Sequence, residues 1–233
     1  MVAKNISISG YSLDKIYKKA IETINTGIYS KHVYSKTHSL ELSKKCDGFI
    51  LMEAAYVLFL DYFYELKNKN FLRKANGIHN ALLSKLKPKQ QNELLKMESR
   101  VAPFFQYEKK LAVKIKTNRK FSNKEIEKFT LMKSKDVFVY SIITSFFAKL
   151  PEKFVTKMYH AQLVRDLGDD FRDLLEDFQQ KMPNPILLRL QNKGLVNFDK
   201  KYTQKQLQSI AKISGVYSVQ KKFLLDYIKR NMA

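Results

Sequence analysis

The sequence predicts an all-α protein, a single large helical bundle in which residues 1–233 form one domain. Three observations carry that expectation. Seven glycines and five prolines in 233 residues leave few breakers, which favours long helices. The stretch Leu150 to Met182 reads as one long helix. Pro151 suits a first helical position, Glu152 meets the helix dipole favourably, Lys181 sits in the last turn, and Pro183 and Pro185 stop it. Phe49 to about Asn68 reads as a second helix, apolar nearly all round, which belongs at the centre of a bundle.

The remaining elements follow in chain order. Residues 1–10 read as a frayed end. Ser12 caps a first helix to about Tyr29, with Ile16, Ala20, Ile24 and Ile28 recurring at i+4. Residues 30–43 read as a turn followed by helix, and Asp47 with Gly48 reads as a break. Residues 71–100 form one or two amphipathic helices broken near Pro88, and Pro103 opens another segment. Asn118 to Asn123 is a basic link. Ser122 or Asn123 caps a helix with Glu125 in its first turn, running to the turn before Pro151. The second half of that helix is β-branched; a strand is the competing reading, and the length favours helix. After Met182 come PNPILLRLQNKG, a loop at VNFDKKYT, and a last helix from about Thr203 to Arg230. The total is about eight helices. The tail beyond 192–201 is too short to bury a core of its own, so no second domain is expected.

Composition narrows the function classes. Lone Cys46 excludes an intramolecular disulfide framework and fits a reducing compartment. The N-terminus lacks the apolar stretch of a signal peptide, and no apolar run reaches membrane-span length. A cytoplasmic protein is the expectation, with peripheral membrane contact left open. The net charge of +21 fits nucleic acid, an anionic membrane surface or anionic substrates. The lysines are dispersed along the chain, so most read as a solvated surface.

Against that basic background stands an acidic run: Asp166, Asp169, Asp170, Asp173, Glu176 and Asp177, six of the 22 acidic residues. Carboxylates three and four apart on a helix repel by a few tenths of a kcal/mol per pair. A cation should offset this, and a divalent metal is the obvious candidate. Asp61 and Glu65 stand at i,i+4 on the apolar second helix, where carboxylates are costly unless paired or metal-bound. The simpler reading puts both at the helix end, reaching solvent or Lys67. Carboxylates on facing helices are a recurrent way to build metal sites. Oxygen ligands without His or Cys favour Mg²⁺, or Mn²⁺, over zinc. His160 lies off that face and reads as packing or exposed.

The segment AQLVRDLGDDFRD resembles the second aspartate-rich motif of the squalene and phytoene synthase family, with Arg165 and Asp166, two intervening residues, then Asp169 and Asp170. The Leu-Gly filler and the following Arg172 are especially like the phytoene synthase version. Asp61 and Glu65 match the family's first motif in spacing, and YSKTHSLELSKK resembles the segment preceding it. The order and approximate spacing agree over roughly residues 30–180. Where the family carries Asn before the motif's Arg, this chain has Gln162; its first motif ends in Glu, and no arginine stands just before Asp61.

The resemblance implies a class I isoprenoid synthase fold and Mg²⁺-dependent ionisation of a prenyl diphosphate, followed by condensation. It implies Asp61, Asp166 and Asp170 as catalytic residues, and Asp61, Glu65, Asp166, Asp169, Asp170 and Asp173 as metal ligands. Tyr34, Lys36, Gln162 and Arg165 would bind substrate, with Lys133 and Lys135 as further candidates; an exposed helix face explains those two equally well. Asp169, Asp173 and Asp177 also stand at 0, +4 and +8, a terpene-cyclase-like frame. A catalytically degenerate binding protein is the second alternative. A basic nucleic-acid-binding protein is a distant third, because it leaves the acidic run unexplained.

Overall fold

The structure is a computed structural model that describes residues 27–117 and 119–222, with the backbone alone for Glu65, Leu66 and Phe105. The helix expected from Ser12 lies outside these residues except for its end, as does the last expected helix beyond residue 222. All regular structure among the described residues is helical. The elements are α1 (Ile28–Thr37), α2 (Leu40–Leu66), α3 (Lys69–Leu83), α4 (Pro88–Val101), α5 (Pro103–Lys116) and α6 (Asn123–Met132). They continue as α7 (Asp136–Ser145), α8 (Glu152–Arg172), α9 (Leu174–Gln180), α10 (Pro185–Asn192) and α11 (Gln204–Ile213). No helix among the described residues is long and apolar enough to cross a membrane.

The chain divides into two compact units, Met1–Met97 with Val139–Leu150, and Glu98–Phe138 with Pro151–Ala233. In the first, Ser39 caps α2 by accepting the Leu42 N–H at 3.2 Å. The break expected at Asp47 and Gly48 does not occur, and α2 runs through both. Ser43, Cys46, Ile50, Glu53 and Ala54 are buried at helical spacing on either side. One glycine costs about 1 kcal/mol in a helix, less than withdrawing that stripe from the core. Lys67, with φ 54°, ends the helix. Phe59, Tyr62, Phe71 and Ala75 form the core between α2 and α3. Residues 139–150 pack on the same unit. Tyr140 meets Tyr29 edge-on at 6.1 Å, Phe147 meets Phe49 at 5.5 Å, and the Cys46 thiol points to the Thr144 hydroxyl at 3.8 Å. Burial pushes that thiol up to about 12, so it stays protonated.

The second unit is built around Leu111, Ile115, Phe129, Leu174, Ile186 and Leu207. A smaller cluster joins Val137 to Tyr159, Leu163 and Leu167 of α8. Ser122 is the cap of α6, in a reciprocal capping box with Glu125; Thr203 and Gln206 make the same box on α11.

Three expected long helices are interrupted. The helix from Ser122 to the Pro151 turn splits into α6 and α7 around Lys133–Lys135, where Ser134 is left-handed at φ 63°. The Leu150–Met182 helix starts at Glu152, with Pro151 as its N-cap and not its first helical residue, and breaks at Asp173 into α8 and α9. The last helix stops at Ile213, and Gly215 turns the chain at φ 64° before residues 216–222 resume helix. The first two interruptions fall at the candidate site.

Candidate acidic site on the second unit

Helix α8 buries Tyr159, His160, Leu163, Leu167 and Asp170. Those positions recur every three to four residues, so Asp170 stands on the edge of the apolar stripe and is carried inward by it. Asp166, Asp173 and Asp177 lie beside it on the flank, giving a gradient: Asp170 is 6 % exposed, Asp166 and Asp177 are half-buried, and Asp173 is exposed. Asp169 is half-buried and pairs with Arg172.

The buried carboxylate has a cation from its own chain. The Lys133 ammonium forms a salt bridge with Asp170 Oδ1 and lies 5.7 Å from the Phe129 ring centre. Burial alone would push Lys133 down, but Asp170, with help from Glu108 and Asp166, raises it, so the ammonium stays charged. Burial pushes Asp170 up; Lys133 opposes this, and the like charges of Asp166 and Asp173 add to it. The neighbouring Ser134 hydroxyl donates to Asp166 Oδ2, while the Gln162 amide donates to Asp166 Oδ1 at 2.7 Å. The left-handed Ser134 therefore turns two consecutive side chains onto two carboxylates of α8 that stand one turn apart. That double attachment compensates a backbone conformation that costs a non-glycine residue roughly 1 kcal/mol or more.

Asn184 closes the site from the other side. It is fully buried, and its amide donates to the Asp170 carbonyl and to Asp177 Oδ2, each at 2.7 Å. Its side-chain oxygen accepts the N–H groups of Ile186 at 2.9 Å and Leu187 at 3.3 Å, capping α10 ahead of Pro185. In an unbroken helix the Asp170 carbonyl would pair with the Leu174 N–H. Asn184 donates to that carbonyl, and the break at Asp173 follows three residues on.

Burial raises Asp177 to about 6; the Asn184 hydrogen bond opposes the shift and the charge of Asp170 adds to it. The folded carboxyl therefore holds its proton through a range where the unfolded chain has released it. Stability falls as pH rises from about 4 to about 6 and levels off above. Asp177→Asn keeps an acceptor for Asn184 and removes the charge. The variant should match the parent near pH 4 and exceed it by about 1–3 kcal/mol at pH 7–8. Urea unfolding at the two pH values checks this; equal stability at both would refute it.

The other expected site residues lie as follows. Gln162 is half-buried on Asp166, and Arg165 is exposed on α8. Asp61 is half-buried on α2, and Glu65 stands one turn further along that helix. Tyr34 and Lys36 are exposed on α1, where the Tyr34 ring lies 6.4 Å from the His38 ring. These four belong to the first unit, whereas the α8 carboxylates belong to the second. His160 is buried against Tyr159, which settles its expected alternatives in favour of packing. Lys133 is not on an exposed helix face but in the α6–α7 turn with its ammonium on Asp170.

Sequence reasoning missed Ser134 and Asn184 altogether. The PNP triplet signals a helix cap followed by proline at the first helical position, but not an amide reaching back to α8. In the first unit, Glu53 and His79 bring donor atoms within 4.8 Å of one another, with Tyr56 stacked on the His79 ring at 4.3 Å.

The α8 site suits a hard cation in its chemistry. All its donors are carboxylate oxygens, and Asp170 Oδ2 is buried with no hydrogen-bond partner among the described residues. Comparison with known protein families, curated proteins and solved structures finds no match to this chain.

Proposed function

We propose that the chain is a Mg²⁺-dependent protein acting on prenyl diphosphates, similar in chemistry to the squalene and phytoene synthases. The observation that carries this reading is the α8 carboxylate row with an unpartnered buried oxygen on Asp170, inside a segment whose sequence resembles that family's second motif. Asp166, Asp170 and Asp173 would hold the metal, with Asp169 at the margin. The resemblance in spacing is what assigns Asp61 and Glu65 to the family's first acidic motif. Bound Mg²⁺ would supply positive charge that neutralises a departing diphosphate. Arg165 and Lys133 add fixed cations for the same anion, and Gln162 holds the Asp166 carboxylate in one orientation. The allylic cation left by ionisation needs a water-free, aromatic-lined space.

A test follows from the burial gradient. Asp166→Ala and Asp170→Ala should abolish diphosphate release from farnesyl or geranylgeranyl diphosphate. Both residues also carry internal bonds, so Asp173→Asn is the cleaner variant: Asp173 is exposed, and its replacement should leave thermal stability unchanged. Its diphosphate release should fall by about 10²-fold or more. A parent protein inert toward these substrates with Mg²⁺ and Mn²⁺ would sink the catalytic reading.

One observation favours a second reading. The salt bridge of Lys133 with Asp170, and the bonds of Ser134, Gln162 and Asn184, already satisfy much of the acidic row. In that reading the chain is a binding protein without turnover, and the row is chiefly structural. Mg²⁺-dependent thermal stabilisation by a non-hydrolysable prenyl diphosphate analogue, with no diphosphate released from substrate, selects it.

A further inference from the structure

The exposed face of α5 carries charge of one sign. Lys110 and Lys116 project from it on either side of Val113, which is 61 % exposed. Arg119 and Lys120 follow in the link, and Lys124 opens α6, all exposed. Of the acids nearby, Glu127 of α6 is exposed, and the other two are engaged within the protein. Glu108 is half-buried and acts on Lys133, while Glu125 is bound to Lys114 and to its own cap Ser122. No acidic side chain thus interrupts the exposed arc of α5, although α8 of the same unit concentrates them.

From this juxtaposition we infer that the α5 face, with the link and the start of α6, docks on an anionic phospholipid surface. Three features select lipid over nucleic acid. The cations are lysines with one arginine, which suits a diffuse sheet of headgroups and not the bidentate contacts by which arginine reads phosphate and guanine. Among the described side chains of this face none is an exposed aromatic on which bases would stack. Tyr107 is half-buried beneath the Lys128 ammonium, 4.9 Å from its ring centre, and Phe121 is buried. Val113 stands among the lysines as an apolar contact for the acyl boundary, where an aqueous polyanion offers it nothing. The inference stands on charge and exposure alone and is independent of the diphosphate reading.

The test is co-sedimentation of the full chain with vesicles of phosphatidylcholine containing roughly a third phosphatidylserine, against phosphatidylcholine alone, at two salt concentrations. Expected are binding to the anionic vesicles that weakens with salt, and at least a roughly tenfold loss in Lys110→Glu/Lys116→Glu. The charge-matched control Lys44→Glu/Lys45→Glu, on exposed positions of α2, should lose less than about threefold. Val113→Asp should also weaken vesicle binding. Equal binding to neutral vesicles, no binding to anionic ones, an equal loss in the control, or tighter binding to duplex or single-stranded oligonucleotides than to anionic vesicles would each overturn the inference. Circular dichroism confirms that the variants are folded.

Discussion

Lys133→Met should destabilise the protein by about 3–5 kcal/mol at pH 7, the cost of leaving one member of a buried ion pair without its partner. Asp170 is 6 % exposed and has one oxygen on Lys133 and one without a donor. Removal of the ammonium leaves a carboxylate that burial and its neighbours already disfavour. The variant can then lower its cost by protonating Asp170, so the deficit should shrink as pH falls toward 5. Adding Asp170→Asn should recover most of the lost stability, because a neutral amide needs no counter-charge. Urea unfolding of the two single variants and the double variant measures the coupling. A loss below about 1 kcal/mol for Lys133→Met would show that Asp170 does not depend on this lysine. The same variant bears on metal. If the α8 row accepts a divalent cation, millimolar Mg²⁺ should restore part of the stability of Lys133→Met and do less for the parent.

Asn184→Ala is the second large effect. Four hydrogen bonds meet on one fully buried side chain. The loss combines a helix cap, worth about 0.5–2 kcal/mol, with buried groups left unsatisfied at about 1–3 kcal/mol each. A total of about 3 kcal/mol would lower Tm by about 6–12 °C in a chain of this size. Asn184→Asp separates the parts. It keeps the acceptor that caps α10 but offers no donor to the Asp170 carbonyl and sets a second carboxyl against Asp177. Its deficit should therefore exceed that of alanine above pH 6 and fall below it at pH 4. If the two variants behaved alike at both pH values, the link from Asn184 to Asp177 would carry no energy.

What the sequence made legible was local chemistry. Pro88 and Pro103 start α4 and α5, and Ser122 with Glu125 starts α6, because caps and prolines act within a few residues of themselves. Gly48 misled for the same reason: its local cost is real, but distant packing along α2 outweighs it. The splits at Ser134 and Asp173 were hidden because the contacts found there come from elsewhere in the chain. Ser134 takes its left-handed turn to reach Asp166, 32 residues on, and Asn184 reaches back 14 residues to Asp170. The site was legible to the same degree. The acidic spacing and the shared face of Asp166, Asp170, Asp173 and Asp177 follow from helix geometry. That Lys133 would supply the expected cation, and that Asp170 alone would be drawn into the core, depends on how α8 packs.

The first compact unit is discontinuous, since residues 139–150 complete what residues before 98 begin. A chain leaving the ribosome therefore exposes the inner faces of Phe49 and Cys46 well before Phe147 and Thr144 have been synthesised. Closure across so long an interval also carries an entropic cost, on the order of a few kcal/mol. The nascent polypeptide must hold an incomplete apolar surface through that delay, a stage at which aggregation or chaperone capture competes with folding. Neither unit can be excised as an uninterrupted fragment, so shortening the chain from its C-terminal side should remove the second unit's core long before it reaches the segment that completes the first.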